Sequence, residues 1–170
     1  YNVLSENTIG FENAAIGFGS LDANTTGARN TSVGNSTLSA NTTASDNTAL
    51  GNAAMNVNTT GAYNTAVGSY ALDANTTANS NTAIGYGASS LTTTGAQNTS
   101  VGYNAMAENT TGEDSVAVGA FALDANTTGN YNTALGYEAL SANTTTNNNC
   151  AVGFRALKAN TGTENTAVGS

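Results

Sequence analysis

The chain has 170 residues, with 11 acidic side chains against 3 basic ones, one Cys, and no Pro, Trp or His. A formal net charge of −8 leaves no basic stripe to displace counterions from nucleic acid or to draw the chain to an anionic membrane. No apolar run approaches the roughly 18 residues of a spanning helix, so insertion of this segment into a membrane is not expected, and Cys150 alone builds no disulfide framework.

Taken in order, the chain is one repeat. Tyr1 enters it in register, without a Met and without a visible signal peptide, so residues 1–170 are expected to be a single array cut from a longer fibrous protein. Residues 1–12 form a worn first coil, in which Leu4 matches Leu21 and Asn7-Thr8-Ile9-Gly10 matches Asn24-Thr25-Thr26-Gly27. Gly17, Gly34, Gly51, Gly68, Gly85, Gly102, Gly119, Gly136 and Gly153 then recur every 17 residues. Gly169 comes one residue early, because Asn160-Thr161-Gly162 lacks one Thr of the usual pair.

Each coil carries two bulky columns. One immediately precedes the Gly and includes Val33, Val67, Val101 and Val118; the other lies four residues after it and includes Leu38, Leu72, Leu123 and Leu140. Both are expected to line a narrow interior. Ser89 breaks the second column, and Leu91 is expected to fill its space. Thr-Ala-Val alternates as a half-buried strand does, and 17 residues leave no room for a helix and a return. The predicted fold is therefore all-β: a parallel β-solenoid, or β-roll, of about ten coils stacked at about 4.8 Å, on the order of 50 Å long.

The Gly column supplies the sharpest bend. Two Asn columns, one containing Asn64 and the other Asn75, are read as turn ladders in which side-chain amides bond from layer to layer and tolerate left-handed backbone. Charges fall only two, five, six, eleven or twelve places after a Gly, which marks part of the perimeter as solvent-facing. With Val pointing inward, alternation points Ala49, Ala66, Ala83, Ala117, Ala134 and Ala151 outward. A strip always small and never charged suggests packing against another chain.

Ser115-Val116-Ala117-Val118-Gly119-Ala120-Phe121-Ala122 resembles the S-V-A-I-G-x-x-A motif in the heads of YadA-like trimeric autotransporter adhesins. Those heads are left-handed parallel β-rolls three chains wide, so the resemblance implies a left-handed homotrimer. This chain departs from the pattern by inserting residues around Asn-Thr-Thr, and the likeness covers about half of each coil. The inserted part resembles the N-T-A-x-G-Y-x-A-L-x-x-N-T-T-G repeats of bacterial and phage fibre proteins, which often end in a self-cleaving chaperone domain that promotes trimer assembly.

Chemistry is sparse. Without His, and with Cys150 at a wall position, no nucleophile and base constellation assembles. Asp22, Asp73 and Asp124 stand three coils apart, about 14 Å, too far for a glycosidase pair. No catalytic residue, cofactor or metal site is expected; Glu113-Asp114 reads as a solvated turn. The Asn-Thr-Thr sequons follow from the repeat. Aromatics one or two places after Gly, among them Phe18, Tyr70, Tyr86, Tyr103, Phe121, Tyr137 and Phe154, read either as corner packing or as a stripe for carbohydrate or protein. The expected function is a rigid spacer and attachment surface in an extracellular, cell-surface or virion fibre, with a host-surface glycan or protein as partner. The competing readings are a monomeric ice-binding solenoid using the Thr pairs and a subunit of an end-to-end filament.

Overall fold

The computed structural model describes residues 2–170. They form a parallel β-solenoid with no helix. Its ten strands are β1 (Ala14–Ile16), β2 (Thr31–Val33), β3 (Thr48–Leu50), β4 (Thr65–Val67), β5 (Thr82–Ile84), β6 (Thr99–Val101), β7 (Val116–Val118), β8 (Thr133–Leu135), β9 (Cys150–Val152) and β10 (Thr166–Val168). They stack in chain order as one sheet. Thr65 pairs with Thr82, Ala66 with Ala83 and Val67 with Ile84, and the same register repeats from β1 to β9. Between β9 and β10 the offset shrinks, Thr166 pairing with Cys150. The missing Thr is absorbed beside Asn160, whose Nδ2 donates to Gly162 O two residues on, where Asn75 Nδ2 reaches Ala78 O three residues on. The sheet register survives because the turn takes up the deletion. The worn first coil keeps the turn too: Asn7 Nδ2 donates to Gly10 O as Asn24 Nδ2 does to Gly27 O.

Strand pairing is only part of the ladder. Gly68 N–H and Tyr70 N–H donate to Leu50 O and Asn52 O on the preceding coil, while Leu72, Ala74 and Thr76 donate to Ala88, Ser90 and Thr93 on the following one. Backbone groups are thus satisfied from coil to coil along the turns as well as the strands, and a 17-residue unit needs no helix to close.

The interior is narrower than two bulky columns require. Leu21, Leu38, Met55, Leu72, Met106, Leu123 and Leu140 are fully buried, as expected. Facing them are not the Val residues but Ala49, Ala66, Ala83, Ala117, Ala134 and Ala151, all 0% exposed, together with a second small column that includes Ala71, Ala88, Ala122 and Ala139. The strand orientation is therefore the reverse of the expected one. Val33, Val67 and Val101 are half-buried on the outer side and Val118 is exposed, so these four do not line the interior, and the six Ala residues offer no surface to another chain. The physical reason is volume. One Leu or Met per coil already fills the lumen, and at native packing density only a methyl fits opposite it.

Where the inward strand position is Ser, its hydroxyl is matched: Ser20 Oγ donates to Ser32 Oγ at 2.7 Å and Ser89 Oγ to Ser100 Oγ at 2.9 Å. Ser89 is buried in that pair while Leu91 is exposed, so Leu91 does not replace the missing core side chain. This polar layer divides the apolar core into two clusters, one ending at Ala88 and the other beginning at Ala105.

Candidate interaction surface

The corners are built from Gly and from buried amides. Every Gly of the period has positive φ, between 122° and 144°. A Cβ on Gly102 would stand 2.6 Å from Gly119 O and 2.7 Å from Gly119 C, so the column is required both by conformation and by the closeness of the next coil.

Asn64 is fully buried: its Nδ2 donates to Ala78 O at 2.8 Å and its Oδ1 accepts from Asn81 N at 2.9 Å. Asn75, also buried, donates to Asn58 Oδ1 at 2.8 Å and to Ala78 O at 3.2 Å. Both columns are the layer-to-layer ladders expected of them, but neither holds the left-handed backbone. That falls to the column of Leu72 (φ 50°), to the column of Tyr70 (φ 60°) and to the column of Tyr63 (φ 61°). Gly19 and Gly87, at φ 63° in the Tyr70 column, with Asn104 beside them and Asp46, Asp114 and Asn148 in the Tyr63 column, were the sequence signals for it. Burial of the Asn amides also closes the Asn-Thr-Thr sequons to modification in the folded rod.

From Thr25-Thr26 to Thr127-Thr128, the first hydroxyl of each Thr pair is consumed by the next coil, as in Thr59 Oγ1 to Thr76 O at 3.0 Å. The second Thr, for example Thr60 or Thr77, is exposed. The pairs therefore display a single file of hydroxyls.

The outer strand face is different. Each strand points its first and third residues outward, about 7 Å apart: a column of mostly Thr, with Cys150 half-buried in it, beside a column of Ile, Val and Leu. Ile16 is 66% exposed, Leu50 47% and Ile84 40%. No charged residue occupies either column in any coil. Just past the Gly, six rings continue the apolar surface along the rod: Tyr70, Tyr86, Tyr103, Phe121, Tyr137 and Phe154, with adjacent centroids 5.3–6.1 Å apart. Two contacts are stacked and three edge-to-face, geometries worth about 0.5–1.5 kcal/mol per pair.

Charges decorate other edges. Arg29 makes a two-point bridge to Asp46 at 2.6 and 2.8 Å, which raises the guanidinium's pKa and lowers that of the carboxyl. Lys158, with Tyr137 and Arg155 assisting, holds the Glu138 carboxyl down to about 2. Asp73 and Asp124 are pushed the other way, chiefly by desolvation, and each leaves Oδ1 without a hydrogen-bond partner. Among the described residues no three His, Cys, Asp or Glu side chains cluster to hold a metal ion, and no helix is long and apolar enough to cross a membrane. Comparison with known proteins matches the chain to no family model, no curated protein and no solved structure.

Proposed function

We propose that the chain is a structural, non-enzymatic segment of an extracellular or virion fibre, a rigid spacer that associates laterally with further copies of itself. One observation carries this reading: the outward Thr and aliphatic columns form an exposed surface along the rod that never accepts a charge. A face selected only for contact with water tolerates Lys, Glu and Asp, and this chain places such residues elsewhere on its perimeter. Long apolar patches on a soluble chain mark interaction sites. The sequence resemblance to adhesin heads and fibre repeats favours three copies, a closed ring of head-to-tail contacts, with cell-surface or virion location and attachment to a host glycan or protein as corollaries.

The test is the solution mass of the chain and of Ile84→Asp, which places a charge on the outer face while leaving the Ala and Leu lumen intact. The wild type is expected near three times 16.8 kDa and the variant at 16.8 kDa with an unchanged circular dichroism spectrum. A monomeric wild type contradicts lateral assembly.

A second reading uses the same face. Its Thr column, repeated at the coil spacing beside aliphatic groups, is a regular array of the kind that can order water, and it is wider than the single file shown by the Thr pairs. A monomeric wild type that shapes ice crystals, and loses the effect with Thr82→Lys, supports ice binding over the fibre.

A further inference from the structure

Beside the aromatic ladder lies a shallow groove of about 400 Å³, lined by Phe121, Asp124, Tyr137, Glu138, Ser141 and Lys158. Its volume falls in the range of small-ligand sites, where an apolar wall and a few polar groups set orientation. Its residues all lie off the three-residue strands, whose outer columns carry the lateral contact proposed above.

We propose that this groove binds an uncharged pyranose sugar. The wall is aromatic: Tyr137 is 40% exposed, and its contact with Phe121 is edge-to-face at 6.1 Å, so the two rings do not stack face to face. The axial C–H bonds of a pyranose form an apolar plate that packs on such a surface, burying both against water.

The rim supplies hydroxyl partners. Asp124 lines the groove, and the exposed edge of its carboxylate can accept from a sugar hydroxyl. Ser141 brings one hydroxyl, and Lys158 gives one N–H to Glu138 while its remaining two stay available. Glu138 is itself held by Lys158 and by Arg155, the latter at 2.9 Å, which fixes the polar side of the groove. Arg155 also lies 4.9 Å from the Phe154 centroid, buttressing the ladder next to the site.

Charge selects among sugars. The groove's two carboxylates, Asp124 and Glu138, outnumber its one ammonium, Lys158, already paired with Glu138, in a chain with net charge −8, which disfavours uronates and sulfated sugars. An aliphatic ligand would leave the carboxylates and the ammonium without new partners, so the mixed lining disfavours lipid.

The experiment titrates methyl glycosides of glucose, galactose, mannose and N-acetylglucosamine, each at millimolar concentration, into the labelled chain and follows the ring resonances of Phe121 and Tyr137. At least one neutral glycoside is expected to shift both. Tyr137→Ala is expected to weaken that binding about tenfold, the upper range of one aromatic contact, and Asp124→Asn to weaken it as well. Tyr131→Ala, an exposed Tyr off the ladder, is expected to change nothing. Unmoved ring resonances with all four sugars overturn the proposal, as does binding that survives both groove variants. Tighter binding of galacturonate than of galactose overturns the assignment to uncharged sugars. Because Tyr137→Ala keeps the strand face, its solution mass is expected to equal that of the wild type, which separates failure here from failure of lateral assembly.

Discussion

Adding a single methyl group at a Gly corner is expected to do more damage than its size suggests. In Gly102→Ala the new Cβ meets Gly119 O at 2.6 Å and Ala120 N at 3.0 Å, all backbone of the next coil, so no side chain can swing away. Two costs add. An L-residue at φ 137° occupies a sparsely populated region at about 1–3 kcal/mol. Relieving the clash opens the corner and strains the flanking bonds Gly119 N to Val101 O (2.8 Å) and Phe121 N to Tyr103 O (3.0 Å), an overpacking cost of about 1–3 kcal/mol. The total is about 2–6 kcal/mol, a fall in Tm on the order of 10 °C for a chain this size.

Gly169→Ala is the internal control. Its φ is 136°, yet nothing lies within 4 Å of the added Cβ, so only the conformational cost applies, and only in the last layer. Thermal melts followed by circular dichroism, with hydrogen exchange localised around β6 and β7, compare the two. Equal melting of the two variants, or wild-type exchange protection around Gly119 in Gly102→Ala, would refute the claim that closeness of the coils makes this column Gly.

Four further outcomes follow from the same packing. Thr92 stands where the amide ladder of Asn75 expects its next member, and Asn75 Oδ1 is left unpartnered; Thr92→Asn is expected to stabilise by about 1 kcal/mol, read as a higher urea midpoint. Asn64→Ala orphans the Asn81 N–H, at about 1–3 kcal/mol, and leaves Ala78 O only its longer bond from Asn75 Nδ2; it is expected to lower that midpoint clearly. Ala66→Leu adds bulk to a filled lumen and is expected to cost about 1–3 kcal/mol or more, whereas Val67→Asp keeps the coil fold and acts on assembly; the reverse ranking in melts of the monomeric forms would restore the inward-Val orientation. For pH the signs oppose. Glu138, depressed chiefly by Lys158 to about 2, contributes stability above the ordinary Glu range that is lost as pH falls toward 2. Asp73, raised by desolvation, favours the fold when protonated and loses that contribution as pH rises through its elevated pKa. Glu138→Gln is therefore expected to flatten the acid loss, and Asp73→Asn to raise Tm at pH 7 but not at pH 2, both read by thermal melts across that range.

Much of the architecture was legible because it is written as columns: the Gly period, the Leu and Met core, both Asn ladders, and the turn that absorbs the missing Thr. The orientation of Thr-Ala-Val was not, since period-two alternation says which residues share a face and never which face is inside. Hydrophobicity favoured Val for the interior; volume, invisible until the Leu column is placed, favoured Ala. A clue stood in the sequence all the same. The two repeats with Ser at the inward position, Ser32 and Ser100, each have a Ser in a lumen-facing column, Ser20 and Ser89, and a buried hydroxyl needs such a partner. The left-handed Leu backbone had no local signal, because Leu is held there by coil-to-coil bonds such as Leu72 N to Ala88 O at 3.1 Å. Of the candidate surface, the aromatic row was readable from its spacing. The groove at Phe121 and Tyr137 depends on side chains of three successive coils and appears only when they stack.

Small-angle X-ray scattering on an absolute scale gives the mass and the length of the rod together. Lateral assembly through the uncharged strand face predicts a mass near three times 16.8 kDa with a longest dimension still on the order of 50 Å. A mass of 16.8 kDa, or a length that grows in proportion to mass as in end-to-end stacking, would contradict it.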